Sequence, residues 1–375
     1  MSKKLLFLFT FLLMNWGFAQ NITLSDNATI SILNCGTGNE SYSLYGHTGI
    51  RIKDSKNGLD VVFNYGAFDF DTPNFILKFV KGDLQYFVTT SSYADFEYSY
   101  RYDKRSIYEQ VLNLTTAQKQ QLFQELYHSL KSDERYYTYK FIDRNCTTMV
   151  IDKVNAVLGA EYISTLKPVT ITYRDILFPY VDQHFFEKLG INMMFGTKVD
   201  QPAERLFLPL EFIKSLEQTK VKGELLAQPV KTLYQAPENN FQPNVLNSIY
   251  TIILLLALIV LARKKAINLT YFTVQGILGV FFCCVGLYSF HQEVLWNYNA
   301  LLFNPLFLLV TYFTLKKQTP SLRLFARIVL FCQLAYLAYM LDKAHLGIMS
   351  PFLVANVLLL GDLILKLKPK ALQNY

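Results

Sequence analysis

A chain of 375 residues with 51% hydrophobic and only 17% charged side chains has room for two or three domains and is too apolar for an ordinary soluble or disordered protein. A net charge of +7 raises the question of nucleic acid, but no Lys/Arg cluster joins interleaved aromatics and the basic residues gather beside apolar runs. The composition is that of a membrane protein with no nucleic-acid partner.

Lys3 and Lys4, an apolar run from Leu5 to Met14 and then Gly17-Phe-Ala-Gln20 follow the three-part layout of a secretory signal over residues 1–20, cleaved near Ala19 or Gln20. From 21 to 235 the texture is α+β. Strands are expected at Ile30–Leu33 and Thr48–Lys53, then a turn at Asn57-Gly58 and a return strand over Asp60–Tyr65, with further strands at 84–90 and 97–102. Thr115 and Gln118 make a capping box ahead of a helix over 116–131, whose Leu122, Leu126 and Leu130 recur at i, i+4, i+8. A second helix is expected to begin near Cys146, with Asn145 as its N-cap and Val150, Val154 and Val157 along one side. Residues 227–243, rich in Pro and Asn, read as a linker, with the domain boundary at 236–244.

Five apolar stretches follow, at 245–262, 270–289, 299–315, 324–341 and 347–364. Each is near the ~20 residues that a ~30 Å hydrocarbon slab requires. They predict an all-α membrane domain of five spans over 245–366 and a cytoplasmic tail over 367–375. If residues 21–235 are exported, Arg263, Lys264, Lys265, Lys316, Lys317, Arg323, Lys366, Lys368 and Lys370 fall on the inner side. The outer loops then hold only Lys343, as the positive-inside rule demands.

Two of the five cysteines, Cys35 and Cys146, lie in the exported part, where a disulfide between them is the ordinary expectation. Cys146, in Asp143-Arg-Asn-Cys-Thr-Thr148, stands at an expected helix start, where free N–H groups and the helix dipole favour a thiolate. His47, in Tyr45-Gly-His-Thr-Gly49, begins a strand between small residues that leave room around its ring. It is the candidate base. The alternatives for the pair are a strand-end histidine and an inert buried thiol. His128, His184 and His345 look incidental, and Asp69 and Asp71 read as a turn. No H-E-x-x-H, paired C-x-x-C or P-loop pattern is present, so neither a metal nor a nucleotide cofactor is implied. The loop His291-Gln-Glu-Val-Leu-Trp-Asn-Tyr-Asn299 is polar and aromatic for so short a connection. It reads either as an interfacial belt or as a place where His291, Glu293, Trp296 and Asn297 bind substrate.

Asn34-Cys-Gly-Thr-Gly-Asn-Glu40, Tyr45-Gly-His-Thr-Gly-Ile-Arg51, Phe63-Asn-Tyr-Gly-Ala-Phe68 and Asn145-Cys-Thr-Thr148, ahead of a multi-span tail, resemble the bacterial membrane family whose exported part is called the Lnb N-terminal periplasmic domain. The resemblance implies an acyltransferase at the outer face of the cytoplasmic membrane. It would pass a fatty acyl chain from a phospholipid or diacylglyceryl-lipoprotein to the N-terminal amine of a lipoprotein. The His-before-Cys order is also similar to circularly permuted papain-like enzymes of the NlpC and lecithin:retinol acyltransferase types. Carried over, Cys146 would be the nucleophile and His47 its base. A third polar group should orient the imidazole, and Asn64 is the candidate, although a turn at Asn57-Gly58 sets it opposite Arg51. Cys35, which shares the family-like motif, could line the site or be the nucleophile itself; Tyr45 and Asn145 are further lining candidates. The rival readings are a membrane-anchored Cys hydrolase, cutting peptidoglycan peptides or lipids, and a non-catalytic envelope-binding protein held by a Cys35–Cys146 disulfide.

Overall fold

The computed structural model describes residues 22–165, 169–237 and 244–367, so the expected signal and most of the boundary segment 236–244 lie outside the described residues. An N-terminal domain of strands and helices precedes a helical region. Its centre is a seven-stranded antiparallel sheet in the order β6-β4-β3-β2-β1-β5-β9. The strands are β1 (Thr29–Cys35), β2 (His47–Asp54), β3 (Leu59–Ala67), β4 (Gln85–Ser92), β5 (Ile107–Val111), β6 (Tyr136–Thr138) and β9 (Lys231–Tyr234), with a small separate hairpin of β7 (Lys220–Val221) and β8 (Glu224–Leu225). Helices α1 (Phe75–Lys81), α2 (Tyr93–Tyr102), α3 (Thr116–Lys131) and α4 (Cys146–Leu158) are threaded between these strands, followed by α5 (Tyr173–Leu177), α6 (Phe185–Met194) and α7 (Pro209–Gln218).

Because side chains alternate across a strand, the two faces of the sheet build two cores. Ile30, Ile32, Ile50, Ile52, Phe63 and Tyr65 pack with α3 and α4. Leu33, Cys35, Val62 and Ile107 pack with Phe96 of α2. The capping box of Thr115 and Gln118 is formed, with the Gln118 N–H donating to Thr115 Oγ1.

Three local expectations change. Residues 97–102 belong to helix α2 and not to a strand, because Ser92 caps the helix by accepting the Asp95 N–H. Their Phe/Tyr content suits either state, and the cap decides. Within the expected linker 227–243, Lys231–Tyr234 joins the sheet edge as β9. The β2–β3 loop is four residues long, with Asp54 paired to Leu59, Asp54 Oδ1 accepting the Lys56 N–H and Gly58 at φ 64°. The register therefore slips two residues from that of a two-residue turn and brings Asn64 opposite Gly49, while Arg51 faces Val62.

In the helical region four segments are long and apolar enough to cross a membrane, Lys265–Tyr288, Gln292–Leu315, Thr319–Met340 and Leu346–Lys366. The 14-residue helix α8 (Ile249–Ala262) is apolar but shorter. The others are α9 (Lys265–Tyr288), α10 (Asn299–Leu302), α11 (Phe307–Leu315), α12 (Thr319–Met340) and α13 (Leu346–Lys366). The stretch expected as one span over 299–315 is thus broken between α10 and α11, at Phe303-Asn304-Pro305. A break in an apolar surrounding must have its carbonyls satisfied internally. Gln333 Nε2 donates to the Leu301 and Leu302 carbonyls, and Asn356 Nδ2 donates to Leu302. Gly279 of α9 lets the break approach, since a Cβ there would stand 2.0 Å from the Phe303 carbonyl oxygen.

A buried polar joint locks the two parts together. Arg174 Nε donates to Asp200 Oδ1 at 2.6 Å, Nη1 to Asn192 Oδ1 at 2.5 Å and Nη2 to Tyr298 Oη at 3.0 Å. The Tyr298 hydroxyl has a single proton, which it donates to Asp200 Oδ2, so His345 Nε2, 2.8 Å away, must donate to it. His345, fully buried, is part of this joint and not incidental, and burial holds its imidazole neutral. Replacing Arg174 by Met should leave Asp200 buried without its cation and cost about 3–5 kcal/mol, read as a lower midpoint of thermal unfolding in detergent. Arg174→Lys should recover little of the loss, because one ammonium cannot reproduce the forked geometry.

Candidate active site

Helix α4 opens at Cys146 because Asn145 caps it. Asn145 Oδ1 accepts the N–H groups of Thr147 and Thr148 at 2.9 and 3.0 Å, and its Nδ2 donates to the carbonyls of Phe141 and Phe207. The cap is thereby tied to two loops. Thr147 then seats the helix start on β2, its hydroxyl 3.0 Å from that of Thr48, which donates to Asn34 Oδ1 at 2.7 Å.

This seating brings the sulfur beside His47, the first residue of β2, whose imidazole favours the thiolate. One ring nitrogen is engaged: His47 Nε2 lies 3.2 Å from Asn64 Oδ1. An amide oxygen only accepts, so Nε2 carries the proton and Nδ1 keeps the lone pair that a base needs. Asn64 is oriented in turn by its Nδ2, which donates to the Val62 carbonyl at 3.4 Å. The ring of His47 also lies nearly parallel to that of Tyr100 in α2, 15° between planes and 6.4 Å between centroids. Gly66 borders both groups, since a Cβ there would stand 3.4 Å from Cys146 Cβ and 3.9 Å from His47 Cε1. Its φ of 103° falls within the register shift between Asn64 and Ala67 in the β3–β4 pairing, a conformation that glycine alone adopts readily.

Electrostatics separate the two thiols. Burial opposes ionisation of Cys146, but the His47 imidazole, the Thr48 N–H and the Thr147 hydroxyl outweigh it and hold the thiol below the ordinary range. Cys35 is fully buried opposite His47 in the β1–β2 ladder. Burial pushes its thiol up to about 12 against the pull of Arg105 and a hydrogen bond from Tyr100. Both thiols are free, so there is no Cys35–Cys146 disulfide.

The remaining candidates lie elsewhere. The Tyr45 ring packs against Phe141 and Tyr180, in a cluster apart from the sheet cores. His291, Glu293 and Asn297, expected at a substrate surface, are buried in the joint. His291 Nε2 donates to the Phe79 carbonyl, Glu293 Oε1 accepts the Ile142 N–H at 3.1 Å, and Asn297 Nδ2 donates to the carbonyls of Met193 and Met194. Trp296 alone of the four is exposed. Asp69 accepts the Asp71 N–H in an exposed turn. Sequence reasoning did not single out Tyr100, whose nearness to His47 is purely tertiary, nor Gly66, which stood inside a quoted motif. No group of three or more His, Cys, Asp or Glu suited to a metal occurs among the described residues.

Cys146 should react with iodoacetamide at neutral pH and keep its rate below the ordinary thiol range, while Cys35 stays silent until unfolding. Asn64→Ala, which frees the imidazole to turn, should move the Cys146 alkylation profile upward by about one pH unit. An unmoved profile would mean that Asn64 does not orient the ring.

No curated protein and no solved structure matches this chain. Two family models do, the Lnb N-terminal periplasmic domain over residues 16–177 and the Lnb transmembrane domain over residues 235–364. The first model spans every residue of the thiol–imidazole site and the second runs from ahead of α8 to within two residues of the end of α13, so the chain belongs to the Lnb-type membrane proteins, with a periplasmic domain followed by a transmembrane one.

Proposed function

We propose that the protein is a thiol-dependent N-acyltransferase that matures bacterial lipoproteins at the outer face of the cytoplasmic membrane. The observation that carries this reading is the free Cys146 thiol, held below the ordinary range at a helix start by the imidazole of His47, whose Nε2 meets Asn64. A Cys–His–Asn line of this kind suits acyl transfer, and its chain order supports a likeness to permuted papain-like enzymes. In this reading a signal peptide exports the N-terminal domain and α8 adds a fifth span.

His47 takes the thiol proton through Nδ1 and the thiolate attacks an ester carbonyl of a membrane phospholipid. The C–S bond forms, the ester C–O bond breaks, and the imidazolium returns its proton to the departing lysolipid hydroxyl. In the second half the N-terminal amine of a diacylglyceryl-lipoprotein attacks the thioester. The C–N bond forms, the thiolate leaves, and the proton shed by the amine passes to the imidazole. Storing the chain on sulfur divides one slow amide-forming step into two exchanges. The N–H of Cys146, first in its helix, suits the developing oxyanion. A hydrolase would use the same pair with water as acceptor.

Mass spectrometry of lipoprotein N-termini in cells tests the assignment. Cys146→Ser and His47→Ala should abolish the amide-linked chain, a loss of at least about a hundredfold, whereas Cys35→Ser should retain it. Purified protein given labelled phospholipid and a diacylated lipopeptide should yield labelled amide; free fatty acid alone would indicate the hydrolase.

A further inference from the structure

We propose that helix α1 and the loop before it form a lipid-docking surface, seated in the outer leaflet of the bilayer, that presents acyl chains to Cys146. Helix α1 reads Phe-Ile-Leu-Lys-Phe-Val-Lys and buries none of its residues. Ile76 is 73% exposed, Leu77 60%, and Phe70 in the preceding loop 66%. A contiguous apolar surface of this kind marks a place of interaction.

The tether of α1 identifies the occupant. Ser289 Oγ donates to the Val80 carbonyl, the Phe290 N–H to that of Lys81, and His291 Nε2 to that of Phe79. These partners directly follow Tyr288, the last residue of the span-length helix α9. The helix is thus fixed where hydrocarbon meets headgroups, beside the exposed Leu287, Tyr288 and Phe290. Lys78 and Lys81 stand in its last turn, and the Lys81 and Lys140 ammonium groups approach the Phe290 ring at 5.5 and 5.3 Å. Apolar side chains flanked by lysines are the pattern of an interfacial helix.

A run of rings leads from this surface toward the sulfur. Phe70 contacts Phe68 at 4.8 Å and Phe75 at 5.2 Å between centroids, and Phe68 contacts Tyr86 at 5.1 Å. Phe68 is two residues beyond Gly66, where a Cβ would stand 3.4 Å from Cys146 Cβ and 3.9 Å from His47 Cε1. An acyl chain lying along these rings keeps apolar contact from bilayer to thiol, at ~0.8 kcal/mol per CH₂ that would otherwise meet water. The rings' role as a donor route rests on the acyltransferase reading; the seating of α1 in lipid does not.

The test uses the full chain in phosphatidylcholine vesicles. The emission added by Leu77→Trp should fall by about half or more when the upper acyl carbons are brominated. Unchanged emission overturns the docking, and a crosslinked dimer through residue 77 would assign the face to a second copy instead. Ile76→Glu combined with Leu77→Glu should slow transfer from vesicle phospholipid by about tenfold or more, with iodoacetamide alkylation of Cys146 at the parent rate. Unaltered transfer overturns the route. A parent protein that transfers nothing refutes the acyltransferase reading and leaves the tryptophan experiment to decide the docking.

Discussion

The pairing of the Cys146 sulfur with the His47 ring brings together the first residue of a helix and the first residue of a strand, 99 positions apart in the chain. For the two to meet, α4 must lie across β2 with its N-terminus at the strand's beginning. The buried contact of Thr147 with Thr48 and the Asn145 cap impose that placement. The rest of the site follows. Gly66 leaves space beside Cys146, Asn64 fixes the tautomer, and the Tyr100 ring lies nearly parallel to the imidazole. The same arrangement distinguishes the thiols: both are hemmed in by protein, yet only Cys146 has an imidazole to compensate the loss of water.

The site is also coupled to the membrane region through backbone as well as side chains. Glu293, fully buried, accepts the N–H of Ile142, four residues ahead of the nucleophile, and the Gly196 N–H donates to the Glu293 carbonyl. Arg174 and Asp200 close the same seam through Tyr298 and His345. A buried network of this kind is costly unless every member is satisfied. Arg174 makes three of these bonds while Glu293 Oε2 and His345 Nδ1 find no hydrogen-bond partner among the described residues, and the bonds that are made hold the two parts in one orientation.

Local physics was legible in the sequence. The capping box at Thr115, the Asn145 cap and the apolar runs announce themselves through residues a few positions apart. The Asn57-Gly58 signal located the turn but not its length, because Asp54 draws one more residue pair into the loop through its own side-chain bonds. The aromatic run 97–102 suited strand and helix equally, and only the Ser92 cap decides. Long-range facts left no trace: Tyr100 beneath His47, or Glu293 reaching Ile142 across 151 residues. The loop 291–299 is too polar for a plain connection, and its polar groups serve the seam between the two parts.

The most direct measurement is intact-protein mass spectrometry of the purified enzyme after exposure to phospholipid alone, with no acceptor present. The account predicts one added acyl chain, removable by neutral hydroxylamine, mapping to Cys146 and absent in His47→Ala. Labelled amide appearing on an added lipopeptide while Cys146 never carries the chain, or an adduct that forms equally well without His47, would contradict it.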